Sequence, residues 1–396
     1  MFDFRATPPL SLYIHIPWCL RKCPYCDFNS HALGGVLPEQ AYVDALIADL
    51  ELDLPGAWGR TVESVFIGGG TPSLFSAAAI ERLLSAVRAR VPLKPGAEIT
   101  LEANPGSVDQ KHFAGFYAAG INRLSIGVQS FQPGLLEKIG RIHDHRQALT
   151  AITAAQQAGF TNINLDLMYG LPGQTSAEAA DDLHTAIGLQ PAHISRYELT
   201  IEPNTWFHRH PPKPVDDDML WDMQESGRSL LQNGGYGRYE VSAYARAGRQ
   251  CRHNLNYWQF GDYLGIGAGA HAKITDATTQ TIQRTAKTRH PRSYMAHANS
   301  ARRISSRNQL GEDDVKLEFV LNALRLDQGF TTAGFCETTG LPFSCMQQTV
   351  TAACENGLLL QQNTNIRATA KGQQHLNELL QYWIIDTPGE ASAGTG

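Results

Sequence analysis

The 396-residue chain has no run of about 18 consecutive apolar residues, which excludes an ordinary membrane-spanning helix. Its opening stretch, MFDFRATPPLSLYIHIP, lacks the basic start, apolar segment and small-residue cleavage site of a secretory signal, so none is expected. Positive charge is not in excess: 33 Lys and Arg stand against 38 Asp and Glu, a net −5 that argues against a general nucleic-acid binder. An evenly stapled cysteine framework is missing too. Of seven cysteines, three lie within eight residues and four (Cys251, Cys336, Cys345, Cys354) are scattered, unlike a secreted disulfide scaffold. The expected setting is the reducing cytoplasm, with thiolates free to bind metal.

What is present reads as a globular α/β protein of more than one domain, with 42% hydrophobic and 18% charged residues. Strand-like runs at Leu12–Ile16, Ser64–Ile67, Glu98–Glu102, Arg123–Gly127, Asn162–Met168 and His193–Leu199 alternate with helical patterns. Those helices are Glu39–Leu52, Ala77–Arg90, Gln110–Ala119, Gln147–Ala158 and Ala177–Ile187, several closing on a Gly. This alternation predicts a parallel sheet curved into a partial (β/α)6 TIM-like barrel, with function at the C-terminal ends of its strands. A smaller α+β region and a C-terminal winged-helix-like domain follow. The expected division is 1–235 for the barrel, 236–310 for an aromatic and basic connecting region, 311–386 for the C-terminal domain and 387–396 for a flexible tail. Within the connecting region, Lys273–Asn308 reads as irregular and basic, with eight Lys and Arg against Asp276 alone.

The chemistry-bearing motifs fall at strand ends. Cys19-x3-Cys23-x2-Cys26 follows the first strand, Gly68-Gly69-Gly70-Thr71 the second, Glu102 ends the third, Gln129 follows the fourth, and Asp166 lies in the fifth. Three thiolates on one tight loop can hold three corners of a [4Fe–4S] cubane and leave the fourth iron open. The competing reading is zinc with His15 or His31 as a further ligand, although this is not a zinc-finger interval.

The run His15-Ile-Pro-Trp-Cys19-Leu-Arg-Lys-Cys23-Pro-Tyr-Cys26 resembles the radical S-adenosylmethionine (SAM) signature. Its surroundings resemble the HemN/HemW family of oxygen-independent coproporphyrinogen III oxidases and their haem-chaperone relatives. The resemblance implies a cluster on Cys19, Cys23 and Cys26 and a SAM pocket formed by Gly69, Gly70, Thr71, Glu102, Gln129, Arg141 and Asp166. Tyr13 and Tyr25 match cluster-side SAM contacts, and Thr200 is a further carry-over. Physically, bare backbone N–H groups of the Gly loop could approach the SAM carboxylate. Arg141 offers a rigid fork for the same carboxylate, and a charge such as Asp166 inside an apolar strand demands a partner or a ligand.

Two departures lean away from the oxidases. Phe28 stands where they carry a further cysteine, and the chain starts abruptly at its first strand, without their N-terminal extension. His253-Asn254-Leu-Asn256-Tyr257-Trp258 matches the H-N-x-x-Y-W motif of the haem-chaperone class, which makes His253 a candidate haem ligand, with Cys251 as an alternative. The implied function is haem binding and delivery to acceptor proteins, plausibly respiratory, with peripheral contact at the inner membrane face as a further expectation. The alternatives are coproporphyrinogen III oxidation by SAM radical chemistry, or a radical SAM reaction on an unrelated substrate. The basic Lys273–Asn308 stretch could meet porphyrin propionates or acidic lipid. The C-terminal segment Glu312–Ile385 carries four basic against eight acidic residues, too few cations for a DNA reader, so no nucleic-acid partner is expected.

Overall fold

The computed structural model describes residues 2–106 and 112–384. Its centre is one twelve-stranded sheet: β1 (Leu10–Ile16), β2 (Val62–Gly69), β3 (Leu93–Ala103), β4 (Arg123–Gln129), β5 (Ile163–Tyr169), β6 (His193–Glu198), β7 (Gly237–Glu240), β8 (Ala243–Ala245), β9 (Asp262–Ile266), β10 (His271–Asp276), β11 (Thr281–Lys287) and β12 (Ile304–Gln309). The spatial order is β12-β11-β10-β9-β1-β2-β3-β4-β5-β6-β8-β7. Strands β9 and β1 to β6 run parallel to one another, and antiparallel strands extend both edges. The six expected β-α units are therefore present, and β9 adds a seventh parallel strand beside β1 that the six-strand pattern did not include.

The local reasons lie in the sequence. β1 is buried along nearly its whole length, as a parallel strand covered on both faces must be. The helix Ala77–Arg90 starts where the Ser76 hydroxyl accepts from Ala79 N and ends with Arg88 and Arg90 in its last turn, favourable at both ends of its dipole. Capping boxes Asp144/Gln147 and Thr175/Glu178 open the helices His145–Gln157 and Ser176–Gly188. The helix expected from Gln110 is seen over Phe113–Ala119, its first two expected residues lying outside the described ones. The expected tail, 387–396, also lies outside them.

A main core of buried aliphatic side chains, including Leu12, Ile67, Leu84, Leu124 and Ile152, fills the space between sheet and helices. A second gathers Phe319, Phe335, Val350 and Ile366 with Phe4 and Phe260. Around it lie the helices Glu312–Ala323, Thr332–Thr339 and Ser344–Glu355 and the hairpin Leu359–Gln362/Asn365–Ala368, the winged-helix order expected. The single closing helix is instead two short ones, Ala370–Gln374 and Leu376–Leu380.

The irregular reading of Lys273–Asn308 is overturned. This stretch forms β10, β11, the helix Pro291–His297 and β12. Its basic residues are partly internal counter-ions: Lys273 meets Asp262 at 2.8 Å, and Lys287 and Arg303 meet Asp49 and Asp53 on the first helix at 2.5–2.8 Å. Arg284 pairs with Glu318. These four are thereby removed from any patch that could meet propionates or lipid, while Arg289, Arg292, Arg302 and Arg307 remain exposed.

Candidate functional site

The cysteine loop leaves β1 and is pinned at both ends. Trp18–Cys19 pairs with His31–Ala32, Leu33 N donates to Cys19 O at 2.8 Å, and Trp18 stands edge-on against Tyr42 with ring centroids 4.7 Å apart. A turn closed by Cys26 N to Cys23 O at 3.2 Å gathers the last two cysteines. Asn29 then ties the loop to the far end of β9, its amide donating to Ala268 O at 2.9 Å and Arg289 O at 2.8 Å.

All three thiols are half-buried and line a cavity of about 370 Å³ at the C-terminal ends of the barrel strands. Tyr25, Gly69, Gly70, Thr71, Glu102, Gln129, Arg141, Asp166 and Thr200 line the same cavity. Residues spread over some 180 positions of sequence are thus brought together, as the barrel rule requires. Tyr13 is not on this cavity but on two that adjoin it. Burial pushes the Cys19 and Cys26 thiols up, eased by hydrogen bonds from Thr71 and Ser30 respectively.

The Gly loop works differently from the expectation. Its amides are all spent within the chain: Gly69 N donates to Glu102 Oε2 at 2.9 Å, Gly70 N to Ile16 O and Thr71 N to Trp18 O, both at 2.7 Å. The glycines are needed for close approach instead. A Cβ on Gly70 would stand 2.5 Å from Trp18 O, and one on Gly69, whose φ is 115°, would meet the His15 ring at 2.5 Å. The loop therefore brings the cysteine segment and the sheet into contact and contributes shape rather than free donors.

Arg141 spans the cavity wall. Its Nη2 donates to Asn104 Oδ1 at 2.8 Å and Gly127 O at 2.5 Å, and its Nη1 reaches Cys23 Sγ at 3.7 Å, while its buried Nε has no partner among the described residues. Gln129 sits in the left-handed region at φ 70°, where the β4–β5 register shifts, so the strand end is bent and the amide re-aimed toward the cavity. Asp166 has the partners its burial demands: Ser125 Oγ and Asn164 Nδ2 donate to it, each at 2.9 Å. Burial pushes Asp166 up, those hydrogen bonds opposing. Burial also pushes Glu102 up to about 7 against the pull of the Gly69 N–H, with the Asp166 charge adding to the rise.

Asn104 was missed by the motif reading, yet it joins Arg141 to Thr71, donating to Thr71 Oγ1 at 2.8 Å. Its position just past β3, two residues after Glu102, was the available signal. Arg123, buried at the start of β4 with an Nε that has no partner among the described residues, was missed as well. No pattern in its neighbourhood marks it.

The H-N-x-x-Y-W motif forms the helix Arg252–Trp258. His253 is buried, its Nδ1 3.0 Å from Ser64 Oγ and its Nε2 without a partner among the described residues, at the edge of a cavity of about 230 Å³. Burial, then the Arg123 charge, lower its pKa to about 3. Cys251 is fully buried and its thiol faces Glu98 at 3.5 Å, so it lines none of these cavities. Burial pushes that thiol up to about 12. It is not placed to act as the alternative ligand.

Residues 13–186 match the Radical SAM superfamily, and residues 310–375 match the HemN C-terminal domain. The heme chaperone HemW of Escherichia coli is 49% identical over 379 residues, covering 96% of this chain and 99% of that protein. The heme chaperone HemW of Haemophilus influenzae is 47% identical over 383 residues, with coverages of 96% and 99%. The solved coproporphyrinogen III oxidase (HemN) from Escherichia coli, a radical SAM enzyme, shares the fold with a TM-score of 0.80 at 24% identity, over 95% of this chain and 90% of that one. With the cysteine loop, the barrel-mouth cavity and relatives this similar along almost their full length, the chain belongs to the HemW family of the radical SAM superfamily.

Proposed function

We propose that the protein is a haem chaperone that holds a [4Fe–4S] cluster on Cys19, Cys23 and Cys26, binds SAM in the adjoining cavity, and passes haem to acceptor proteins. The observation that carries the haem reading is the 49% identity, over nearly all of both chains, to a protein named heme chaperone HemW. The residues fit the cluster and SAM: three thiols line one cavity, Gly70 has room for no side chain, and Arg141, whose Nη1 reaches Cys23, has a buried Nε without a partner among the described residues. When bound, the cluster supplies an open iron for the SAM amine and carboxylate and an electron for cleaving the sulfonium.

Arg141 is held by Asn104 and Gly127 O with its guanidinium beside Cys23, where it would receive the carboxylate of SAM. Glu102, fixed by Gly69 N, accepts from an ammonium or ribose hydroxyl, with Gln129 and Asp166 as further polar partners across the cavity. Tyr13 donates to His15 Nδ1 at 2.9 Å, and His15 Nε2–H donates to Asn29 O at 2.9 Å, which fixes the neutral ring and the trailing end of the cluster loop. Burial lowers the His15 pKa to about 4, so this arrangement holds at neutral pH.

Haem binds in the region of the His253 motif, and the acceptors are respiratory proteins. Residues 311–386 serve as a lid or protein-docking surface rather than a DNA reader. The place of action is the cytoplasm and the inner membrane face; among the described residues no helix is long and apolar enough to cross a membrane. The test is anaerobic reconstitution followed by two assays. Haemin should produce a saturable Soret change, and incubation with SAM, reductant and coproporphyrinogen III should yield no vinyl groups. Vinyl formation would replace this reading with the oxidase.

A further inference from the structure

Three histidines border the interior of the barrel mouth, and their partners sort them. His15 spends both ring nitrogens, on Tyr13 Oη and Asn29 O. His253 spends Nδ1 on Ser64, and its Nε2 ends at a small cavity of about 230 Å³, below the roughly 300–1,000 Å³ of small-molecule sites. His271, the first residue of β10, is exposed, and its ring makes no hydrogen bond among the described residues. It lines a third cavity of about 500 Å³, open to solvent, which shares Gly69, Phe28 and Glu102 with the cluster cavity and Tyr257 with the His253 cavity.

The walls of this third cavity suit a planar aromatic anion. Tyr257 and Tyr263 meet edge to face with centroids 4.3 Å apart. Phe28, on the cluster loop, is 59% exposed and presents its ring to this cavity. Arg289 is exposed and has no ion pair among the described residues, although its backbone is fixed by Asn29. An arginine fork of this kind suits a carboxylate.

We infer that this cavity is the haem site, with His271 as an axial ligand, Tyr257, Tyr263 and Phe28 against the macrocycle, and Arg289 on a propionate. The inference rests on the haem-chaperone reading and deepens it. His253 stands behind Tyr257, with their rings 5.0 Å apart, and positions it, so the H-N-x-x-Y-W motif serves haem through its tyrosine. Partial desolvation of the ring where it meets the cavity wall, then the Arg284 and Arg289 charges, lower the His271 pKa, which favours the neutral form that binds metal. The solvent-open side suits a cargo that must leave.

The test is haemin titration of the full, anaerobically reconstituted chain, read at the Soret band. His271→Ala should weaken haemin at least tenfold while iron content and SAM binding stay at wild-type values. His271→Tyr should keep haemin but convert it to a phenolate-ligated spectrum, which a merely structural position would not do. Arg289→Gln should weaken haemin and leave its dimethyl ester unaffected. If both His271 variants titrate like the wild type while His253→Ala loses haem, the assigned site is wrong and the chaperone reading stands. If the wild type itself fails to bind haemin, the chaperone reading and this site fall together.

Discussion

Arg141 Nη1 lies 3.7 Å from Cys23 Sγ, while Nη2 is held by Asn104 Oδ1 at 2.8 Å. One guanidinium therefore joins the cysteine loop to the ends of β3 and β4, 118 residues from the thiol it meets. A lysine retains the charge but not the fork. Arg141→Lys should bind SAM about 10–100-fold more weakly, the range expected for losing charge-assisted hydrogen bonds of about 1.5–3 kcal/mol. Its iron content should stay near that of the wild type. Isothermal titration with SAM measures the first and iron assay the second; unchanged SAM affinity would remove Arg141 from the pocket.

Gly70 carries a different prediction. The backbone carbonyl of Trp18 stands 2.5 Å from where a Cβ would be, and Trp18 is paired with His31 beside Cys19, so a shift there moves the thiol. Gly70→Ala should lower the iron and sulfide retained after reconstitution, with an overpacking cost of about 1–3 kcal/mol. Gly56→Ala, where a Cβ meets nothing within 4 Å, is the matched control and should reconstitute fully.

Glu102 makes stability depend on pH. Its carboxyl titrates at about 7 in the folded chain and near 4.3 when unfolded. Between those values the folded state binds more protons, so stability falls as pH rises through that window and levels off above it. Glu102→Gln should flatten this segment of the Tm-versus-pH curve of the ligand-free chain. A bound ammonium would favour the ionised carboxylate, so SAM affinity should rise from pH 6 to pH 8 in the wild type and stay level in the variant. A variant curve parallel to the wild type would contradict both.

Lys287 is fully buried between Asp49 and Asp53, with Arg303 completing the cluster and Tyr294 Oη donating to Asp49 at 2.7 Å. Lys287→Met strands two carboxylates with a single cation, a loss of about 3–5 kcal/mol. The exposed Arg292→Ala should change stability by less than about 0.5 kcal/mol. Urea unfolding followed by circular dichroism compares the two, and equal midpoints would show that the cluster contributes nothing to the joint between the first helix and the edge strands.

Much of this protein was legible along the chain. The β-α alternation, the capping boxes and the Cys19-x3-Cys23-x2-Cys26 spacing are local patterns, because helix caps, strand burial and loop ligands act over a few residues. The cavity that gathers Cys19, Gly70, Glu102, Gln129, Arg141 and Asp166 follows from them, since a parallel barrel puts every strand's C-terminal end at one mouth. What only the tertiary structure decided are relationships across long separations. The basic run at Lys273–Asn308 proved to be ordered strands because its cations answer Asp49 and Asp53, more than 200 residues earlier. The Gly69–Thr71 amides proved to be engaged because Ile16, Trp18 and Glu102 come within 2.9 Å of them. His253, prominent as a motif, proved to be buried behind Tyr257, whereas His271, silent in the sequence, faces an open cavity. Residue type sets which chemistry a side chain can perform, and packing alone decides whether its polar atoms are already satisfied or left facing a ligand.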